Sequence, residues 1–264
     1  MLLMVTGHPR SGTEMLLHLC NSHPQVALTL ELGSLRTLWV SPRTYAFALL
    51  DGWRASPMPV LQFAGKKDRS WRARWQSTRF GLGLLWQLRG FRHGLVGPRQ
   101  LEVCYRALLP QAQVVGDKLP NYSLCLDHYA GLEELKCVVI YRHVFSVVQS
   151  YQEMLKRKWA SVPSLARLDS AEKVAQQWAH SIRQLKRNRH QVLALSYEEL
   201  MAKPSTQIQL LANWLGVHAG GFSTAAIPRP RPPVRFDGET EQRIWACCGA
   251  ELDYLGYPQV PQVR

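Results

Sequence analysis

Leu2-Leu3-Met4-Val5-Thr6-Gly7-His8-Pro9-Arg10-Ser11-Gly12-Thr13 sets an apolar run against a glycine-bounded loop, and this pairing decides the architecture. A short continuous apolar stretch such as 2 to 6 is the pattern of a strand buried on both faces. From 11 to 21, Met15, Leu16, Leu19 and Cys20 recur at spacings of three and four, which predicts a helix stopped by His23-Pro24. A strand feeding a Gly-rich loop that opens a helix makes an anion site. Loop amides and the helix N-terminus converge on one point, here near Arg10 to Thr13.

Working outward, the alternation continues. Residues 113 to 116, 135 to 141 and 191 to 195 read as strands, the second carrying Cys137-Val138-Val139-Ile140. Helical patterns run over 144 to 158, 170 to 189, 206 to 215 and 239 to 255. Strands alternating with helices predict an α/β domain, a central parallel sheet between two helical layers. Residues 34 to 109 break the rhythm and are rich in Arg and in Trp (Trp39, Trp53, Trp71, Trp75, Trp86); they read as a mostly helical insertion on the acceptor side. The Pro/Arg-rich stretch 225 to 236, with Arg229, Arg231 and Arg235, reads as an exposed basic loop. No internal repeat divides the 264 residues, and a single domain over 1 to 264 is expected.

The 32 Lys plus Arg against 19 Asp plus Glu give a net charge of +13. Polyanions are the expected partners, and charge alone leaves nucleotides, nucleic acid, anionic glycans and anionic membrane surfaces open. Six cysteines without C-x-x-C spacing favour a reducing compartment and argue against a metal site. The apolar start ends at Gly7-His8-Pro9-Arg10, too early for a signal peptide, and no later run reaches the length of a membrane span. A cytoplasmic protein, with peripheral membrane contact left open, is the expectation.

The loop has the outline of a Walker A motif, yet Thr13 stands at the Lys position and Glu14 at the Ser/Thr position that would hold Mg²⁺. Arg10, inside the loop, supplies a bidentate cation instead. These residues resemble the sulfotransferases that use 3′-phosphoadenosine 5′-phosphosulfate (PAPS), whose first motif reads about G-x-P-R-S-G-T-T; Glu14 is the departure. His23-Pro24-Gln25-Val26 is similar to the H-P-x-V of the tyrosylprotein and bacterial branch. Arg142 with Ser150 matches the family's second motif, in which a strand-end Arg and a Ser eight residues on hold the 3′-phosphate; His143-Val144 replaces its usual Asp-Pro. Gly116-Asp117-Lys118-Leu119-Pro120, Tyr197-Glu198-Glu199-Leu200 and Leu255-Gly256-Tyr257 resemble three further elements in the family's order.

The resemblance implies a P-loop NTPase-like fold and metal-free sulfuryl transfer from PAPS to a hydroxyl or amine. It assigns the donor to Arg10, Ser11, Gly12, Thr13, Arg142, Ser150, Tyr197 (against adenine) and Arg235 (over the 3′-phosphate). Glu31 corresponds to the glutamate that acts as base in the tyrosylprotein branch, and Leu28, Leu30 and Leu32 around it suggest a desolvated carboxylate of raised pKa. Arg10 and Lys118 are the cations for the leaving group. A structural ion pair is the plainer reading of Glu31, and Glu14, His8 and His23 are weaker rivals as base. Trp178 is expected in the core. The acceptor is open: a small molecule or a glycan- or lipid-linked acceptor, with a carbohydrate, an aromatic hydroxyl, a lipid-linked alcohol and an acidic peptide all admitted by the Trp and Arg content of 34 to 109, and no nucleic acid expected. Two other classes stay in view. One is a P-loop kinase or NTPase. The other is a non-enzymatic polyanion- or membrane-binding protein, motivated by Lys66, Lys67, Arg69, Arg72, Arg74, Arg79, Arg89 and Arg92.

Overall fold

The computed structural model describes residues 1–55, 70–91, 94–160, 162–228, 232 and 234–257. In chain order the regular elements are β1 (Leu2–Thr6), α1 (Thr13–Ser22), β2 (Val26–Leu30), α2 (Pro42–Ala55), α3 (Trp71–Leu88), α4 (Pro98–Leu108) and β3 (Val114–Lys118). There follow β4 (Leu135–Tyr141), α5 (Val144–Met154), α6 (Pro163–Ala166), α7 (Ala171–Arg187), β5 (Leu193–Ser196), α8 (Tyr197–Ala202), α9 (Pro204–Leu215) and α10 (Gly238–Tyr254). The five strands form one parallel sheet in the order β2-β3-β1-β4-β5.

Strand side chains alternate between faces, and both faces of β1 are covered. Leu2 and Met4 pack with Val115, Cys137 and Val139 against α3, α4 and the segment Pro120–His128. Leu3 and Val5 pack with Leu28, Val138 and Ile140 against α1, α8 and α9. That explains the unbroken apolar run: a residue pointing either way meets helices, and each fully buried leucine contributes roughly 1.5–3 kcal/mol. A third cluster of α5, α7 and α10 closes around Trp178, which is fully buried as expected.

The register aligns the strand ends. Val5 lies opposite Lys118, Lys118 opposite Leu30, Thr6 opposite Val139 and Tyr141 opposite Ser196. The segments that follow, beginning at Gly7, Glu31, Leu119, Arg142 and Tyr197, therefore leave from one edge of the sheet. Because β1 sits between β3 and β4, successive crossovers diverge there, which opens a crevice at the carboxyl ends of the strands.

Three sequence readings are corrected. Val26–Leu30 is the edge strand of the sheet, paired with β3, where the sequence reading places the end of the His-Pro-x-Val motif and the surroundings of Glu31 but no strand. β3 runs to Lys118 rather than ending at Gly116, so the lysine is part of the strand. The helix expected over 144 to 158 is α-helical only to Met154 and widens into a π turn over Leu155–Trp159. Within residues 34 to 109 lie the helices α2, α3 and α4, while Lys66, Lys67, Arg69 and Arg92 fall outside the described residues.

Candidate functional site

The loop after β1 is shaped by two glycines. A Cβ at Gly7 would stand 2.1 Å from the Ile140 carbonyl oxygen, so only glycine lets the loop pass beside β4. Gly12 has φ of 99°, and a Cβ there would meet the Tyr197 ring at 2.6 Å. Arg10 also takes a left-handed φ, 74°. Alternation of such conformations turns successive amides toward a common centre, the geometry of an anion nest. Ser11 donates its amide to the His8 carbonyl at 3.0 Å, and α1 starts at Thr13 with Gly12 as its N-cap. The Ser11 hydroxyl is buried and has no hydrogen-bond partner among the described residues. A buried polar atom left unpaired is costly, and its position at a helix start suits an anionic oxygen.

Arg10 reaches across the crevice. Its Nε donates to Ser150 Oγ at 2.9 Å, and its guanidinium carbon lies 5.7 Å from the centre of the Trp159 ring, on the π turn. Burial, offset in part by Glu14 and then reinforced by Arg142, lowers its pKa from the ordinary arginine value. Arg142 follows β4 directly, its guanidinium carbon 4.3 Å from the centre of the Tyr197 ring. Its Nε is a second buried donor without a partner among the described residues. Ser11, Arg10, Ser150, Arg142 and Tyr197 thus come together around the β1–β4 crevice. Ser150 contacts Arg10 rather than Arg142.

The surrounding frame explains the remaining motifs. His143, where Asp is usual, caps α5 by accepting the Phe145 amide on Nδ1 at 3.2 Å. Its own amide donates to Glu198 Oε1 at 3.0 Å, and Tyr257 donates to Glu198 Oε2 at 2.8 Å. Glu198 therefore ties the Arg142 turn to the Leu255-Gly256-Tyr257 element. The Trp178 indole donates to the Arg142 carbonyl at 3.0 Å.

On the other side of β1, Lys118 Nζ meets Glu31 Oε1 at 2.7 Å, with the lysine side chain 2% and the glutamate side chain 31% exposed. Glu31 takes a left-handed φ of 54° and donates its amide to the Lys118 carbonyl at 2.7 Å. The environment expected for it is corrected: its partner is the Lys118 ammonium, while Leu28, Leu30 and Leu32 are themselves packed into the core.

Asp117, named in the sequence only as part of a motif, holds this turn. Its buried carboxylate accepts from Thr29 Oγ1 at 2.5 Å, the Leu32 amide at 3.1 Å, the Gly33 amide at 2.8 Å and Tyr122 OH at 2.8 Å. Burial raises its pKa, and these hydrogen bonds pull it back.

Of the weaker candidates, His8 is buried against the loop, its Nδ1 2.8 Å from the Pro9 carbonyl, and desolvation lowers its pKa to about 4. His23 is taken up by the His218 carbonyl and the Gln25 amide, the structural role foreseen for it. Glu14 lies 3.8 Å from His18 one turn on. Arg235 is 66% exposed and 3.9 Å from Glu241; Arg229 and Arg231 lie outside the described residues.

A cavity of about 350 Å³ adjoins the Glu31 turn, walled by Trp39, Tyr45, Leu119, Tyr122 and Tyr129, with Arg36 among its lining. The aromatic polar atoms are already engaged: Tyr45 OH donates to the Leu32 carbonyl, Tyr122 OH to Asp117, and Trp39 Nε1 to Tyr129 OH. What remains for a guest is mostly ring surface, with Arg36 and the Asn121 side chain among the polar members of the lining. A larger cavity of about 490 Å³ opens at the other end of the sheet, beside Met1, Leu135 and Lys136, and none of the predicted site residues line it. Among the described residues there is no cluster of metal-ligating side chains.

The chain matches the profile of the Sulfotransferase family over residues 3–219. No curated protein matches it. Among solved structures, it is similar to the sulfotransferase domain from the curacin biosynthetic pathway at 16% identity and TM-score 0.55, covering 98% of each chain. A sulfotransferase from Mycobacterium avium is 15% identical with TM-score 0.54, covering 96% of this chain and 76% of that one. One from Alicyclobacillus acidocaldarius is 14% identical with TM-score 0.51, covering 98% and 96%. At such identities the likeness is one of fold, and it agrees with the P-loop NTPase-like sheet expected from the opening loop.

Proposed function

The chain belongs to the sulfotransferase family, and from that premise we propose that it moves the sulfuryl group of PAPS to the hydroxyl of an apolar-bodied acceptor, without a metal. One observation carries the donor: two anion-receptive points, the Arg10–Ser11 loop and Arg142, face one crevice and each presents a buried donor or hydroxyl without a partner among the described residues. A nucleotide charged at both 5′ and 3′ ends fits that pair. Mg-ATP does not fit Thr13 and Glu14 in the Walker A positions.

In this reading the acceptor oxygen attacks sulfur as the bond from sulfur to the 5′-phosphate oxygen breaks in line. The acceptor proton passes to the Glu31 carboxylate. Arg10, Lys118, the Ser11 hydroxyl and the amides of Gly12 and Thr13 take up the charge on the departing phosphate, the Ser11 amide being held by the His8 carbonyl. Lys118 lies between the two tasks. Paired with Glu31 at 2.7 Å, it holds the base in place, and it is released toward the phosphate as Glu31 takes the proton. Asp117 is a positioning residue for both, since it sits beside Lys118 on β3 and fixes the turn that presents Glu31.

The aromatic cavity supports an acceptor with a compact apolar body. A sugar needs several polar partners, and the wall hydroxyls are committed elsewhere. The volume lies at the small end of ligand pockets, about 300–1,000 Å³. Calorimetry with adenosine 3′,5′-bisphosphate tests the donor, with Mg-ATP as control. Binding of the bisphosphate that Arg142→Ala weakens at least tenfold is expected, and folded protein that ignores it at low salt overturns the reading.

A further inference from the structure

α3 hides one face and shows another that no part of the described protein covers. Ser77, Phe80, Leu84 and Leu88 point into the core, each buried. Trp71 is 73% exposed, Trp75 61%, Leu82 52% and Trp86 62%. At 3.6 residues per turn these four fall within about 60° of one another, a single stripe along the helix. An apolar stripe of this length on the outside of a helix is not explained by packing, since the packing face is the opposite one.

The charges beside the stripe are all of one sign. Arg72, Arg74 and Arg79 are exposed on the same helix, and α3 contains no Asp or Glu. Between Asp68 and Glu102 the sequence has no acidic residue at all. The Arg89 guanidinium carbon stands 3.3 Å from the centre of the Trp86 ring, and that of Arg72 5.8 Å from the Trp71 ring. Indole rings favour the boundary between water and hydrocarbon, where the ring is half buried and the N–H stays wet. Guanidinium groups at that depth meet phosphate. A second copy of the chain docked on this stripe would bring arginines against arginines, so charge selects an anionic partner.

We propose that α3 is a membrane-surface helix that lays Trp71, Trp75, Leu82 and Trp86 into the interface of an anionic phospholipid bilayer, with its arginines on the headgroups. No helix among the described residues is long and apolar enough to cross a membrane, so the attachment is in-plane and reversible. It depends on salt, because the headgroup contribution is screened.

The test is vesicle co-sedimentation of the whole chain, with phosphatidylcholine alone or mixed with phosphatidylserine. Wild type is expected on the mixed vesicles, with affinity falling at least tenfold from low to physiological salt, and not on phosphatidylcholine alone. Trp75→Ala with Trp86→Ala, at positions exposed enough to spare the fold, is expected to weaken binding roughly tenfold; so is Arg72→Glu with Arg79→Glu. No binding to mixed vesicles overturns the proposal, as does equal binding by the variants. So does retention on heparin without vesicle binding. A wild-type dimer that the tryptophan variant converts to monomer also overturns it, assigning the stripe to a second copy. The assay uses no nucleotide, so its outcome is independent of the donor reading.

Discussion

At the scale of the residue, the site is a set of side chains far apart in sequence that one sheet edge collects. Glu31 and Lys118 are 87 positions apart and 2.7 Å apart in space. Glu31→Gln keeps the size and a hydrogen bond to Lys118 but takes no proton. It is expected to leave bisphosphate affinity within about twofold while transfer from labelled donor falls roughly 10²–10⁴-fold; unchanged transfer removes Glu31 as base. His8 gives a pH dependence. Its folded pKa of about 4 lies below the ordinary 6.5, so the unfolded chain takes the proton first as pH falls. Its contribution is present above about 6.5 and is lost as pH drops toward 4, a change of roughly 3 kcal/mol at about 1.4 kcal/mol per pH unit. His8→Asn is expected to flatten urea-derived stability against pH across that window. Arg10, Arg142 and Ser150 were legible because loop, strand end and helix each carry a local pattern. Asp117 and Arg36 were not, since their meaning lies in contacts with Thr29, Tyr122 and the cavity that no local spacing encodes.

At the scale of the element, the turn after β2 depends on β3. The Asp117 carboxylate gathers four donors from Thr29, Leu32, Gly33 and Tyr122. An Asn there would turn an amide N–H₂ toward some of them. Asp117→Asn is expected to cost about 3 kcal/mol in chemical denaturation and to lower turnover more than donor binding, because it loosens the Glu31 turn rather than the loop at Arg10. β2 itself shows why a strand can be missed. Val-Ala-Leu-Thr-Leu is five residues long, follows His-Pro without a turn signal of its own, and leads straight into Glu31, so its apolar character reads equally as a pocket wall. The helix ends erred for a different reason. Widening of α5 into a π turn at Leu155 leaves apolar spacing almost unchanged, and it accompanies a tertiary contact, the Trp159 ring against Tyr151 with ring centres 4.9 Å apart, that local spacing does not encode.

At the scale of the whole molecule, a net charge of +13 surrounds the crevice in which the donor nucleotide is proposed to sit. Long-range attraction should speed encounter with the bisphosphate, and the association rate measured by stopped flow is expected to fall severalfold between low salt and about 0.15 M. A salt-independent rate would assign the charge to other partners. The alternation of strands and helices was readable, but β2 and the order β2-β3-β1-β4-β5 follow from the crossovers and needed the structure. The tryptophans have a further consequence. Trp178 is sealed in the core with its N–H on the Arg142 carbonyl, while Trp71, Trp75 and Trp86 stand in solvent. Among the described tryptophans Trp178 is the most sealed and these three are the most exposed, with Trp39, Trp159, Trp214 and Trp245 between them. The short-wavelength edge of the emission is therefore weighted toward the strand end where the nucleotide is proposed to sit, and the iodide-quenched long-wavelength edge toward α3. Replacing Trp71, Trp75 and Trp86 in turn separates the α3 share without attaching a dye.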